Sequence, residues 1–159
     1  MVHVRGGLLM SLTDSLKKEF CFCPLKGRNK EEVLSNLLSS FASAYGMSEE
    51  EEKEALDAVM KREALGSTGL EHGVAIPHAK VDFIHKPVVA IAVGENEIDF
   101  SSADGKPTKV YFLVLGSDEH PSEHVQVLSQ IAQIARNSTL LNMIRNSRNK
   151  DELASIFFS

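Results

Sequence analysis

The sequence predicts one α/β domain in which helices cover both faces of a β-sheet. The runs Pro87–Val93 and Val110–Leu115 are apolar and do not alternate with polar residues, which is typical of strands that are buried on both faces. Segments with a helical spacing of apolar residues lie before and after these two runs. Such interleaving favours a three-layer α/β architecture. The 159 residues suit a single core.

Two capped helices are predicted in the first half of the chain, after a short helix over Ser11–Lys18. The first begins at Asn29, whose side chain is a favourable N-cap, and ends at Gly46, since glycine readily adopts the backbone conformation that closes a helix. The second helix extends from about residue 48 to residue 65. It begins with a capping box, in which Ser48 and Glu51 satisfy each other's backbone N–H groups.

The second half of the chain contains the two apolar strands, a further short strand over Ile98–Phe100, and three helices. Proline is favourable in the first turn of a helix, so a helix is expected to begin at Pro121 and to end near residue 137. Two shorter helices are expected near residues 138–146 and 149–157. No internal repeat, linker or low-complexity segment interrupts this pattern.

Composition and charge exclude some classes of function. The chain is 43% hydrophobic and 25% charged, with a formal net charge of −5, so it lacks the basic footprint of a sequence-independent nucleic-acid-binding protein. No apolar run approaches the roughly 20 residues that span a bilayer, and no secretory signal is present in residues 1–10. We therefore expect no direct membrane insertion and a cytoplasmic protein. Residues 1–10 could be a disordered extension, with Met10 as an alternative start, before a domain over residues 11–159.

The two cysteines of the chain, Cys21 and Cys23, lie in a strand predicted over Phe20–Leu25. At this spacing their side chains would project from the same face of the strand. A disulfide between them is implausible, and two sulfur ligands are too few for a zinc site. They are interpreted as small packing residues in a reducing compartment.

A glycine-containing segment, residues 66–78, is the most informative part of the sequence. It reads Gly-Ser-Thr-Gly-Leu-Glu-His-Gly-Val-Ala-Ile-Pro-His and is interpreted as a loop. Glycines allow the backbone to approach a bound group closely, and successive exposed N–H groups can bind an anion. His78 ends the segment, so the pattern suggests phosphate chemistry at an imidazole. The lysine that a nucleotide-binding P-loop requires is absent.

Together with the preceding Arg62-Glu63, this segment resembles the active-site signature of enzyme IIA domains of the fructose/mannitol type. These domains are phosphocarriers of the bacterial phosphoenolpyruvate-dependent phosphotransferase system. The match to Gly-Val-Ala-Ile-Pro-His at residues 73–78 is specific, and the order of elements is similar from about residue 11 to the end of the chain. Within the family, the sequence is most similar to the fructose and nitrogen-regulatory branch. The resemblance implies a mixed β-sheet flanked by helices.

Three residues are candidates for the chemistry. A neutral imidazole has one lone-pair nitrogen that can attack phosphorus, and the resemblance implies that His78 accepts the phosphoryl group at Nε2. His124 shares a helix face with apolar residues at i+3, i+4 and i+7, so it should point inward. It matches the family's second active-site histidine, although a satisfied core histidine is the alternative. Arg62 matches the family's arginine and could bind phosphate oxygens, or the terminal carbonyls of its own helix.

Ser67 and Thr68 could donate hydrogen bonds to the same phosphate, although such residues in loops usually form local turns. His120 and His124 have the His-x-x-x-His spacing of some metal sites, but the predicted helix begins between them and no further ligand pair accompanies them. His72 stands where the family's motif is variable. Neither His72 nor His120 is assigned a role, and no metal or cofactor is predicted.

The resemblance implies an HPr-like phosphocarrier protein as the phosphoryl donor. Three functions remain open: a regulator whose phosphorylation state sets which proteins it binds, a transport component that passes phosphate to a cysteine of an enzyme IIB domain, and a non-catalytic binding module. Similarity to the nitrogen-regulatory branch favours regulation, whereas the set of Arg62, His78 and His124 argues against the binding module.

Overall fold

The computed structural model of the chain describes Leu12 and residues 14–158, so the prediction for residues 1–10 lies outside the described residues. Within this part, strands and helices interleave along the chain. Their bounds are β1 Leu16–Leu25, α1 Lys30–Tyr45, α2 Glu49–Leu65, β2 Val74–Ala75, β3 His78–Lys80, β4 Val88–Ile98, β5 Thr108–Gly116, α3 Pro121–Ala135, α4 Ser138–Arg145 and α5 Lys150–Phe157. No helix in the described residues is long and apolar enough to cross a membrane.

The five strands form one mixed sheet in the order β1-β4-β5-β2, and β3 also pairs with β5. β4 and β5 are antiparallel, whereas β1 is parallel to β4. β2 and β3 follow each other along the same side of β5 and are both parallel to it. Val74 pairs with Val110, and His78 pairs with Val114, so β3 lies against the carboxyl end of β5.

Both faces of the central strands are covered, as the sequence predicted. Eight of the nine residues of β5 are buried, and so is the run from Val89 to Gly94 in β4. Helices α1 and α2 pack against each other and contact β1, β3 and β4, whereas α3, α4 and α5 form a second group that contacts β5 and β1. The predicted α/β fold with a mixed sheet between helices is confirmed.

The predicted caps of the first two helices are confirmed. The Asn29 side chain accepts the Glu32 N–H at 2.9 Å, and Gly46 ends α1 with a φ of 91° that favours glycine. At the start of α2, Ser48 Oγ accepts the Glu51 N–H at 3.1 Å, and Glu51 Oε1 accepts the Ser48 N–H at 3.0 Å. Local sequence therefore determines where both helices begin.

The helix predicted over Ser11–Lys18 is wrong at its end, because Leu16, Lys17 and Lys18 are the first residues of β1, although Leu12 is helical. Leu16 is buried and pairs with Val89 of β4, so pairing with a distant strand overrides the local preference. The strand predicted over Ile98–Phe100 is not separate either, since β4 continues to Ile98.

Both cysteines are free, and Cys21 is buried whereas Cys23 is half-buried. Burial raises the pKa of the Cys21 thiol to about 12, so at neutral pH it remains a thiol rather than the reactive thiolate. Burial also raises the pKa of Cys23. These environments agree with the predicted packing role.

Candidate active site

His78 is the first residue of β3 and is half-buried. Its Nδ1 lies 2.7 Å from the carbonyl oxygen of Ile76. A carbonyl can only accept a hydrogen bond, so Nδ1 carries the ring proton in the neutral imidazole. The lone pair is therefore on Nε2, which makes Nε2 the nucleophilic nitrogen. The backbone two residues upstream thus selects the tautomer.

His124 lies in the first turn of α3 and is only 4% exposed. Its ring centroid is 6.2 Å from that of His78, with an angle of 56° between the ring planes. The predicted inward orientation is confirmed, because Val127 and Ile131 on the same helix face are also buried. Within the described residues, Nδ1 of His124 has no hydrogen-bond partner. It packs on Gly116, where a Cβ atom would come within 2.5 Å of Nδ1.

The pKa of His124 is lowered from its ordinary value of 6.5, chiefly by burial and secondarily by positive charge on His78 and Lys80. His124 is therefore uncharged at neutral pH, when it can donate one N–H to an anionic group in the site. A neutral donor beside His78 can stabilise phosphoryl oxygens.

This lowered pKa predicts a pH dependence of stability. As pH falls below the ordinary histidine pKa of 6.5, the unfolded chain takes up the proton before the folded chain does, so the free energy of unfolding falls. We expect His124→Gln to lose less of this free energy than wild type between about pH 7.5 and about pH 5.5 in urea unfolding experiments. The exposed histidines are the same in both proteins, so their contributions to the pH dependence of stability cancel. Equal losses in the two proteins would contradict a buried neutral His124.

Arg62 lies in the last turn of α2, and its Nη1 donates to the Gly66 carbonyl at 2.8 Å. The interaction with its own helix end, one of the two predicted roles, is therefore present. Arg62 also lines an open groove of about 650 Å³ together with His78 and His124. The rest of the lining consists of three alanines, two lysines and Leu65, which is 86% exposed. The three candidate residues therefore share one open groove.

Ser67 and Thr68 make local contacts in the structure. Ser67 Oγ donates to the Phe100 carbonyl at 2.6 Å and accepts the Gly69 N–H at 3.0 Å. Thr68 is buried, and its hydroxyl group and its backbone N–H both donate to the Glu63 carboxylate. Phosphate binding by either residue stays a prediction, whereas their observed contacts fix the start of the segment that leads to His78.

Glu63 is a buried residue of the signature to which the sequence assigned no role. Its Oε2 forms an ion pair of 2.9 Å with Lys30 Nζ, and their side chains are 4% and 25% exposed, respectively. The Lys30 ammonium also lies 4.4 Å from the centroid of the Phe100 ring. Glu63 thus joins α1, the end of α2 and Thr68. The sequence contains one sign of this role: Glu63 lies in the last turn of a helix, where negative charge is unfavourable.

Replacing Glu63 with alanine is expected to lower the free energy of unfolding by about 2–3 kcal/mol, because it leaves the partly buried Lys30 and the Thr68 N–H without their acceptor. Chemical denaturation measures the change. Glu54→Ala, an exposed position on the same helix, is the matched control and should change stability by at most about 0.5 kcal/mol. A Glu63→Ala protein as stable as the Glu54→Ala control would show that this network contributes nothing.

Comparison with known proteins identifies the family. Residues 14–159 match the family model described as phosphoenolpyruvate-dependent sugar phosphotransferase system, EIIA 2. The chain belongs to this family. It is 31% identical over 147 residues to a nitrogen regulatory protein of Bradyrhizobium diazoefficiens, a match that covers 92% of this chain and 94% of that protein.

Solved structures share the fold. The nitrogen regulatory protein IIA-Ntr of Neisseria meningitidis superposes with a TM-score of 0.80 at 23% identity, over 94% of this chain and 99% of that chain. Enzyme IIA for mannitol from Escherichia coli, in its complex with phosphorylated enzyme IIB, superposes with a TM-score of 0.72 at 20% identity, over 89% of this chain and 97% of that chain. These enzyme IIA domains have the same arrangement of sheet and helices as the present chain.

Proposed function

We propose that this enzyme IIA domain is a phosphocarrier that accepts a phosphoryl group on Nε2 of His78 from an HPr-like protein. The observation that carries the proposal is the contact of 2.7 Å between His78 Nδ1 and the Ile76 carbonyl. This contact holds the proton on Nδ1 and leaves the lone pair on Nε2, in a histidine that lines an open groove. The proposed location is the cytoplasm.

In the proposed step, the lone pair of Nε2 attacks the phosphorus of a phosphohistidine on the donor. A new N–P bond forms on His78 as the N–P bond of the donor breaks, and the donor imidazole leaves with that electron pair. The transferred group spreads negative charge over its three equatorial oxygens. His124 contributes a neutral N–H and Arg62 a permanent positive charge, and both are held near His78 before the donor arrives.

The wall of the groove supports protein–protein docking. Alanines and the exposed Leu65 supply apolar contact area in the groove, while Arg62, Lys61 and Lys80, the last paired with Asp118, supply positive charge. Apolar contact area combined with charge suits transient complexes, in which charge increases the association rate more than the affinity. The donor and the acceptor of the phosphoryl group would use the same surface in turn.

A regulatory role is favoured over a transport role by the likeness to the nitrogen regulatory protein of Bradyrhizobium diazoefficiens, which extends over 94% of that protein. In this role, the phosphorylation state of His78 would determine which proteins the domain binds. In the transport alternative, phosphate passes to a cysteine of an enzyme IIB domain. The support for this alternative is the fold shared with the mannitol enzyme IIA in its complex with enzyme IIB.

The test is incubation of the chain with phosphoenolpyruvate, enzyme I and an HPr-like carrier, followed by mass spectrometry under neutral and acidic conditions. We expect a single acid-labile phosphoryl adduct that requires all three components. Failure to label in the presence of a competent carrier would refute phosphocarrier function. The labelled protein is then mixed with candidate IIB domains, and rapid discharge coupled to sugar phosphorylation would establish transport instead of regulation.

A further inference from the structure

A second groove lies at the opposite end of β5 from His78 and has a volume of about 310 Å³. We call it the basic groove because three of its lining residues are cations: Lys106, Lys109 and Arg145. The Lys109 N–H bonds the Gly73 carbonyl, whereas His78 pairs with Val114. Five residues of strand separate these two points, about 17 Å at the usual rise, so the basic groove is distinct from the candidate active site.

The cations of the basic groove have no acidic partner within the described residues. Lys109 and Arg145 are half-buried, yet neither they nor Lys106 forms an ion pair there. Arg145 donates instead to neutral acceptors, the Asn142 side chain at 3.1 Å and the His72 carbonyl. Partly dehydrated cations are unfavourable unless an opposite charge compensates them. Two half-buried cations beside the exposed Lys106, in a chain of net charge −5, therefore call for an anion.

Two carboxylates near the basic groove compensate its cations only in part: the charge of Lys106 acts on Asp104, but no ion pair forms within the described residues. Glu97 lines the groove but is exposed and makes no ion pair within residues 14–158. Asp104 accepts the backbone N–H groups of His72 and Lys106, at 3.1 Å and 3.0 Å. Its carboxylate is thereby held on the turn that carries these residues. The ammonium groups of Lys106 and Lys109 remain available to a ligand, whereas the Arg145 guanidinium already donates to Asn142 and His72.

We propose that the basic groove binds a small anion with at least two negative charges on phosphate or carboxylate oxygens. The Arg145 guanidinium contributes permanent charge and those N–H groups that do not donate to Asn142 and His72, and the two lysine ammonium groups add charge without a geometric requirement. The volume is at the lower end of the range for small-molecule sites, which favours a compact metabolite over a nucleic acid or a protein segment. This site is independent of phosphoryl transfer at His78.

The test is a titration of the full chain with pyrophosphate and, separately, with citrate at constant ionic strength, followed by amide NMR. We expect saturable shifts at Gly73, Lys109 and Arg145 with a dissociation constant below about 1 mM. Binding of both anions identifies a general oxyanion site, and binding of only one identifies its chemical class. If neither pyrophosphate nor citrate causes saturable shifts, the proposal is refuted.

Variants separate a built site from general attraction of anions. Lys109→Gln is expected to weaken binding about tenfold, and Lys109→Gln combined with Lys106→Gln to weaken it further. Lys17→Gln combined with Lys26→Gln removes the same charge from exposed positions elsewhere and should leave binding unchanged. If the two double variants weaken anion binding equally, net charge alone explains the binding and the proposal is overturned. The lysine variants leave the Arg145 contact with His72 intact, and thermal unfolding checks their folding.

Discussion

The His78→Ala protein is expected to carry no acid-labile phosphate after incubation with phosphoenolpyruvate, enzyme I and an HPr-like carrier. The change removes the one imidazole of the groove whose tautomer is fixed by a backbone carbonyl, at 2.7 Å from Ile76. The other candidates cannot replace it. His124 is only 4% exposed, and Arg62 is permanently protonated and cannot act as a nucleophile. Mass spectrometry of the intact protein measures the loss.

The control for this experiment is His85→Ala, because His85 is an exposed histidine that pairs with Glu119 outside the groove. It should be phosphorylated as completely as wild type. A thermal unfolding measurement on both variants separates loss of chemistry from loss of fold. Phosphate retained in His78→Ala, at any residue, would contradict the assignment of the acceptor.

The second large effect is expected from His124→Leu, which should slow phosphoryl transfer by about 10²- to 10³-fold, the usual cost of removing one preorganised donor. Leucine fills the buried position beside Gly116 but offers no N–H to the phosphoryl oxygens. The rate constant is measured by rapid quenching of a single turnover with phosphorylated carrier. Affinity for the carrier should change little, because His124 is buried and offers little surface to a docked protein.

His124→Gln provides the matched comparison for this prediction. Its side-chain amide retains an N–H donor, so the variant should recover part of the rate that leucine loses. Equal rates for the leucine and glutamine variants would argue for a packing role, which is the alternative that the sequence left open. A leucine variant within about twofold of wild type would exclude His124 from the transition state.

The fold was largely predictable because its helices and central strands depend on local signals. Asn29, Gly46 and the Ser48–Glu51 capping box mark helix ends through contacts within a few residues, and the unbroken apolar runs of β4 and β5 follow from burial on both faces. The strands that escaped prediction depend on distant partners. β2 and β3 contain only two and three residues, which is too short for a periodic pattern of apolar residues. They are strands because they pair with β5.

The sequence predicted which residues belong to the candidate site, but it did not predict the contacts that these residues make. The signature indicated Arg62 and His78, and the helix face together with the family resemblance indicated His124. Their common groove results from the pairing of β3 with β5 and from the position of His124 in the first turn of α3. The position of Glu63 in the last turn of α2 marks it as unusual but does not reveal that it accepts the donors of Thr68. Likewise, the lack of a Cβ at Gly116 matters only because α3 folds back over the end of β5.

The most direct test of the proposed mechanism is to determine which ring nitrogen is phosphorylated. The chain is labelled with ¹⁵N in its histidines, phosphorylated by the carrier and examined by ¹⁵N and ³¹P NMR. We predict one phosphoryl group on Nε2 of His78, with the proton retained on Nδ1, because Nδ1 donates to the Ile76 carbonyl. A phosphoryl group on Nδ1 of His78, or on any other residue, would contradict the proposed function.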